Sequence, residues 1–160
     1  MLYIRPASRA DVPLILELIR ALAEYEKLAD RCVANEQRLD ATLFGDKAYA
    51  ETLIAEWNGA PAGFALYFHN YSTFLAQPGI YLEDLFVKPE LRGHGIGKAL
   101  LIKLAQIAEE RDCGRLEWSV LNWNEPSIGF YKKLGAMPQD DWTTFRITGP
   151  GVAKLARGEA

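Results

Sequence analysis

The chain has 160 residues, 49% of them apolar and 24% charged, with a net charge of −3. That length suits one domain with a continuous core, and the charge gives no general reason to expect nucleic acid. Cys32 and Cys113 are too few and too isolated for a disulfide framework or a zinc site, so a reducing, cytoplasmic setting is expected. Met1 to Pro6 forms no signal peptide, and no apolar run approaches a membrane span.

In chain order, Leu2 to Arg5 reads as a strand ended by Pro6, and Ser8-Arg9-Ala10-Asp11 as a capping box. Leu14, Ile15, Leu18, Ile19, Leu22 and Ala23 mark one helical face running to about Glu26. Asn35 or a neighbour can cap a shorter helix through Leu39 and Leu43 to Phe44, ended by Gly45. A strand from Thr52 to Trp57 meets Asn58-Gly59, a strong hairpin signal, and returns as Gly63 to Phe68. Asn70 to Gly79 reads as a loop, before the strand Tyr81-Leu82-Glu83-Asp84-Leu85-Phe86-Val87.

Arg92-Gly93-His94-Gly95-Ile96-Gly97 follows and delivers its glycines into a helix from Lys98 to Arg111, with Leu100, Leu101, Leu104, Ile107 and Ala108 on one face. Amides at such a helix start lack intrahelical partners, and glycines let the backbone approach a pyrophosphate. A dinucleotide fingerprint needs a small residue where Lys98 stands, although Glu117 lies about where its ribose-binding acid would. A Walker A loop fails at Arg92 and at Ala99. Cys113-Gly114 suits a helix C-cap, and Arg115 to Leu121 is a strand. Asn124-Glu125-Pro126-Ser127 starts a helix carrying Ile128, Phe130, Tyr131 and Leu134 to Gly135. Trp142 to Ile147 reads as a last strand, and the tail after Gly149 as frayed. The order β-α-α-β-β-β-α-β-α-β predicts a single α/β domain over 1–160 with a mixed sheet.

Arg-x-x-Gly-x-Gly after an apolar strand resembles the coenzyme A loop of the GNAT acetyltransferases. Ile4-Arg5-Pro6-Ala7, Ala23-Glu24-Tyr25-Glu26, Tyr81 to Val87, Trp123-Asn124-Glu125-Pro126-Ser127 and Phe130-Tyr131-Lys132-Lys133 look most like the spermidine/spermine, or diamine, N-acetyltransferases. The resemblance implies a GNAT fold with a splayed central sheet, and direct acetyl transfer from acetyl-CoA to the primary amine of a small diamine, polyamine or thialysine-like substrate. It implies a bulge that re-aims Glu83 and Asp84, with Leu85, Phe86 and Val87 beside the thioester. Arg92, Gly93, His94, Gly95, Ile96, Gly97 and Lys98 would hold the pyrophosphate, and Asn124, Glu125, Pro126 and Ser127 would line the cofactor. Glu83 would accept the ammonium proton, and Tyr131, a phenol ordinarily protonated at pH 7, would protonate the leaving thiolate.

By the same carry-over Tyr25, Glu26, Glu83, Glu117, Trp118 and Ser119 border the amine, and relatives of this kind are homodimers. Loop Asn70-Tyr71-Ser72-Thr73-Phe74 carries no acid where spermidine-acetylating members place one, which favours a shorter amine. His69 and His94 lack a third ligand, so no metal is expected. Protein or peptide acetylation and a non-catalytic acyl-CoA-binding module are the alternatives, against which Glu83 and Tyr131 weigh.

Overall fold

The computed structural model describes residues 1–159, which form two compact units, one from Met1 to Leu121 and the other beginning at Asn122. The first holds β1 (Leu2–Pro6), α1 (Val12–Tyr25), α2 (Glu36–Leu43), β2 (Glu51–Trp57), β3 (Ala60–Ser72), β4 (Gln77–Val87), α3 (Ile96–Glu110) and β5 (Leu116–Trp118). The second holds α4 (Glu125–Lys133) and α5 (Gly149–Ala156). No helix among the described residues is long and apolar enough to cross a membrane.

The strands form one mixed sheet in the order β1-β2-β3-β4-β5. Neighbours are antiparallel as far as β4, and β4 and β5 are parallel, as the crossover through α3 requires. Ile54, Phe64 and Phe86, paired across β2, β3 and β4, are buried against Ile15, Leu18 and Leu22 of α1 and Leu43 of α2. Alternation sends the neighbouring residues Leu53 and Ala65 to the other face. There α3 packs on the sheet and buries Leu100, Leu104 and Ile107. Each such aliphatic side chain contributes about 1.5–3 kcal/mol.

Local signals place most boundaries. Ser8 and Asp11 form the capping box, here over a 3-10 turn leading into α1, and Asn35 Oδ1 accepts from Arg38 N at 2.8 Å to start α2. Asn58 and Gly59 take φ of 52° and 84°, the left-handed pair that a tight hairpin between β2 and β3 needs.

Four sequence expectations are corrected. The segment Asn70 to Gly79 is not a loop: β3 and β4 pair from His69↔Ile80 to Ser72↔Gln77, leaving a short turn over Thr73 to Ala76. Cross-strand pairing there overrides the weak strand preference of Asn70, Pro78 and Gly79. The left-handed residue closing α3 is Asp112, φ 54°, with Cys113 N donating to Ala108 O and Asp112 N to Glu109 O, so Gly114 is not the cap. Trp142 to Ile147 is not a strand; it finds no ladder partner among the described residues, and Trp142 and Phe145 are 79% and 93% exposed. The tail is not frayed: Thr148 is the N-cap of α5, Pro150 lies in its first turn, and Val152 and Leu155 share a face.

The start of α1 is tied to β1 by a bidentate pair, Arg5 Nη1 and Nη2 to Asp11 Oδ2 and Oδ1 at 2.8 and 2.9 Å. The guanidinium holds the Asp11 carboxyl down at about 2, from 3.8. Stability from this depression is complete above pH 3.8 and fades as pH falls toward 2. Asp11→Asn is therefore expected to lose about 2 kcal/mol in urea unfolding at neutral pH. The loss should shrink as pH is lowered through that window, and a pH-independent loss would contradict the pairing.

Candidate active site

β4 carries an extra residue. Leu66 of β3 faces Asp84 and the next residue, Tyr67, faces Leu82, so Glu83 has no opposite partner. Such a bulge disrupts the strict alternation that would send Glu83 and Asp84 to opposite faces. It also lies where β4 leaves its parallel neighbour, because β5 pairs only with Ile80, Tyr81 and Leu82. Beyond Leu82 that edge of β4, including Leu85, Phe86 and Val87, has no strand beside it among the described residues. An extended ligand can add there in the manner of a strand.

Glu83 is exposed and Asp84 only partly so. Burial first, and then the charges of Glu83 and Glu26, push the Asp84 carboxyl up to about 7. Glu26, the C-cap of α1, is itself raised, first by burial and then by Glu83. Three carboxylates thus share one field, and one of them retains its proton near neutrality. Without a ligand, the Asp84 proton contributes stability that is lost as pH rises through about 7, the opposite sense to Asp11. An alkylammonium entering this field would pair with ionised carboxylate and reverse the shift.

The glycine loop is joined to the same region. Arg92 Cζ lies 4.4 Å from the centroid of the Tyr25 ring and 5.7 Å from that of Phe86, and Arg92 Nε donates to Val87 O at 3.1 Å. Tyr25 directly precedes Glu26, so one arginine ties the loop, the strand beyond the bulge and the end of α1. His94 meets Trp57 edge-on, ring centroids 4.8 Å apart. Gly95 is the N-cap of α3 with φ 78°, and no side chain caps this helix. The amides of Ile96, Gly97 and Lys98 are left to an external acceptor.

The structure distinguishes the three glycines. A Cβ added to Gly93 or Gly95 would project into open space at positive φ, whereas one on Gly97 would meet Val87 Cγ2 at an ordinary 3.8 Å. Open space over the first two, beside uncapped amides and the positive helix end, fits a pyrophosphate. Lys98 adds positive charge in the first turn.

Other residues singled out in the sequence have different partners. Glu117 accepts from Asn70 Nδ2 at 3.1 Å, and Ser119 Oγ is 2.8 Å from Tyr81 Oη; Trp118 is at the end of β5 opposite Leu82. In the second unit Asn124 is buried and its Oδ1 accepts from Ser127 N at 3.4 Å, starting α4 with Glu125 and Pro126 in the first turn. Tyr131 lies on α4 with its ring centroid 5.6 Å from that of Phe130. Sequence reasoning missed Asp84 as a functional group. The adjacent acids within an apolar strand were its available signal.

The acetyltransferase (GNAT) family model matches residues 17–136. A thialysine N-epsilon-acetyltransferase of Bos taurus is 41% identical, over 96% of this chain and 96% of the bovine protein. An L-ornithine N5-acetyltransferase of Arabidopsis thaliana is 31% identical over 95% of this chain and 86% of its own length. Among solved structures, an integron cassette protein from the mobile metagenome of V. cholerae superposes with a TM-score of 0.83 at 28% identity, covering 98% of both chains. The chain belongs to the GNAT family. It is an N-acetyltransferase.

The loop geometry makes a specific prediction. Gly95→Val is expected to weaken coenzyme A binding by about tenfold or more in calorimetry, by filling the space over the amides. Gly97→Ala should bind within a few-fold of the unmodified protein. Circular dichroism guards against unfolding of the strained valine variant, and undiminished affinity in a folded Gly95→Val protein would contradict the cradle.

Proposed function

We propose that the chain transfers the acetyl group of acetyl-CoA to the terminal primary amine of a short cationic substrate of the thialysine, ornithine or diamine kind. The observation that carries this reading is the acidic group of Glu26, Glu83 and Asp84, in which Glu26 and Asp84 are partly withdrawn from water, joined to the glycine loop through Tyr25 and Arg92. A carboxylate cluster suits an alkylammonium, and the names of the bovine and Arabidopsis relatives support the substrate class.

Acetyl-CoA supplies an activated thioester. Arg92, Lys98 and the first-turn amides of α3 hold its pyrophosphate, and the open β4 edge over Leu85 to Val87 receives the pantetheine. An amide of that edge donates to the carbonyl oxygen as negative charge develops there. An alkylammonium titrates near 10 and must lose a proton before its nitrogen can attack. Asp84, with Glu83 beside it, accepts that proton directly or through water. The new N–C bond forms as the C–S bond breaks, and the Tyr131 hydroxyl gives its proton to the departing sulfur. Asn124 to Ser127 contribute to the cofactor site in the same reading. Tyr131 and Asn124 to Ser127 are assigned by their match to the family pattern.

Thiol release with acetyl-CoA and a panel of thialysine, ornithine, short diamines and lysine peptides tests the substrate class. The small amines are expected to exceed the peptides in kcat/KM, and the reverse order would overturn it. Asp84→Asn should lower kcat/KM about 10²-fold and remove an inflection near pH 7 from its pH profile. An inflection that survives the substitution would move the base elsewhere.

A homodimer belongs to the same proposal, supported by the exposed Trp142 and Phe145. Light scattering should give twice 17.9 kDa, and a fully active monomer would refute it.

A further inference from the structure

A cavity of about 320 Å3 lies within the first unit, away from the glycine loop, between the residues around the end of α2, the start of β2 and the C-terminal half of α3. Small-molecule sites usually span about 300–1,000 Å3, so it has room for a compact ligand. Leu43, Phe44, Leu53 and Ile107 give it an apolar wall. Its polar side is built from Glu51, Tyr67, Lys103 and Arg111, and their hydrogen bonds decide which charge the cavity accepts.

The charge of Glu51 is already neutralised within the protein. Arg111 Nη1 and Nη2 donate to Glu51 Oε2 and Oε1 at 2.7 and 2.9 Å, and the Tyr67 hydroxyl donates to Oε1 at 3.4 Å. The Arg111 hydrogen bond leads the causes that hold the Glu51 carboxyl below its usual range, so it stays anionic and satisfied. Behind the pair, His69 Nδ1 lies 3.1 Å from the Gly79 carbonyl, which can only accept, and Nε2 lies 2.9 Å from Arg111 Nη1. The imidazole therefore carries its proton on Nδ1 and accepts from the guanidinium, which fixes Arg111 from a second side. Lys103 differs from all of these. It is only partly exposed, lines the cavity, and has neither hydrogen bond nor ion pair among the described residues. Thr52, also in the wall, keeps a buried hydroxyl without a hydrogen-bond partner.

We propose that this cavity is a second ligand site, distinct from the acetyl-transfer site, for a small amphipathic carboxylate. The carboxylate pairs with the Lys103 ammonium, and a short apolar chain lies against Leu43, Phe44, Leu53 and Ile107. A neutralised Glu51 and an uncommitted lysine give the lining a net positive charge, which excludes an amine. The apolar wall favours an aliphatic acid over inorganic anions. Along α3, at 1.5 Å per residue, Lys103 is roughly 10 Å and Arg111 roughly 20 Å from the loop end of the helix. Occupation of the cavity thus leaves the glycine loop clear, and the proposal stands whether or not the assigned amine substrate is correct.

Calorimetric titration of the full chain with hexanoate at neutral pH, with hexanol and hexylamine as probes of the headgroup, tests it. Saturable single-site binding of hexanoate is expected, about tenfold or more tighter than either control. Lys103→Met should weaken hexanoate by about tenfold or more while leaving acetyl transfer unchanged, and Lys103→Arg should restore binding to within a few-fold. Absence of saturable hexanoate binding at millimolar concentration, equal binding of hexanol, or indifference to Lys103→Met would each overturn the site.

Discussion

The unpaired residue at Glu83 is the constraint on which the rest of the site depends. One residue inserted between Leu82 and Asp84 shifts the ladder with β3, and it comes where β5 stops pairing with β4. Two consequences follow from the coincidence of this bulge with the end of β5. Backbone groups of β4 beyond Leu82 are released from sheet duty on one side, and adjacent carboxyls no longer obey strict alternation. A regular strand would pair its edge or divide its acids between faces. Binding of an extended cofactor and deprotonation of an amine therefore draw on the same departure from ideal geometry.

The acidic residues show how context sets the use of a carboxyl. Asp11 accepts two guanidinium hydrogen bonds and sits far below its usual range, so it stabilises the fold at neutral pH. Glu51 is held down by Arg111 in the same way. Asp84 is partly withdrawn from water with other acids for neighbours, and its ionisation opposes folding as pH rises. A group kept in that condition is one that a cationic ligand can relieve, and proximity to neutrality suits it to exchange protons.

Features encoded within a few residues were legible in the sequence. Ser8 with Asp11, Asn35, the Asn58-Gly59 turn and the glycines before α3 act through local backbone geometry, and the apolar periods of α1 and α3 name their buried faces. Pairing between distant segments was less legible. The extension of β3 and β4 through Asn70 and Gly79 depends on their mutual register, which overrides turn-like composition. Trp142 to Ile147 has the aromatic and β-branched composition of a strand but no partner strand among the described residues to make it one. The raised carboxyl of Asp84 arises from burial and from Glu26 on another element, and the Glu51–Arg111–His69 network joins residues 42 and 60 positions apart. Neither effect has a periodicity or a motif to announce it.

The most direct measurement is the titration of the Asp84 side-chain carboxyl by carbon-13 NMR, assigned by comparison with Asp84→Asn. A midpoint near 7 is expected in the free protein, moving downward when 1,5-diaminopentane is added, because the ammonium stabilises the ionised form. A midpoint within the ordinary aspartate range, or one unmoved by the amine, would contradict an acidic group with Asp84 partly withdrawn from water as the amine-binding and proton-accepting element.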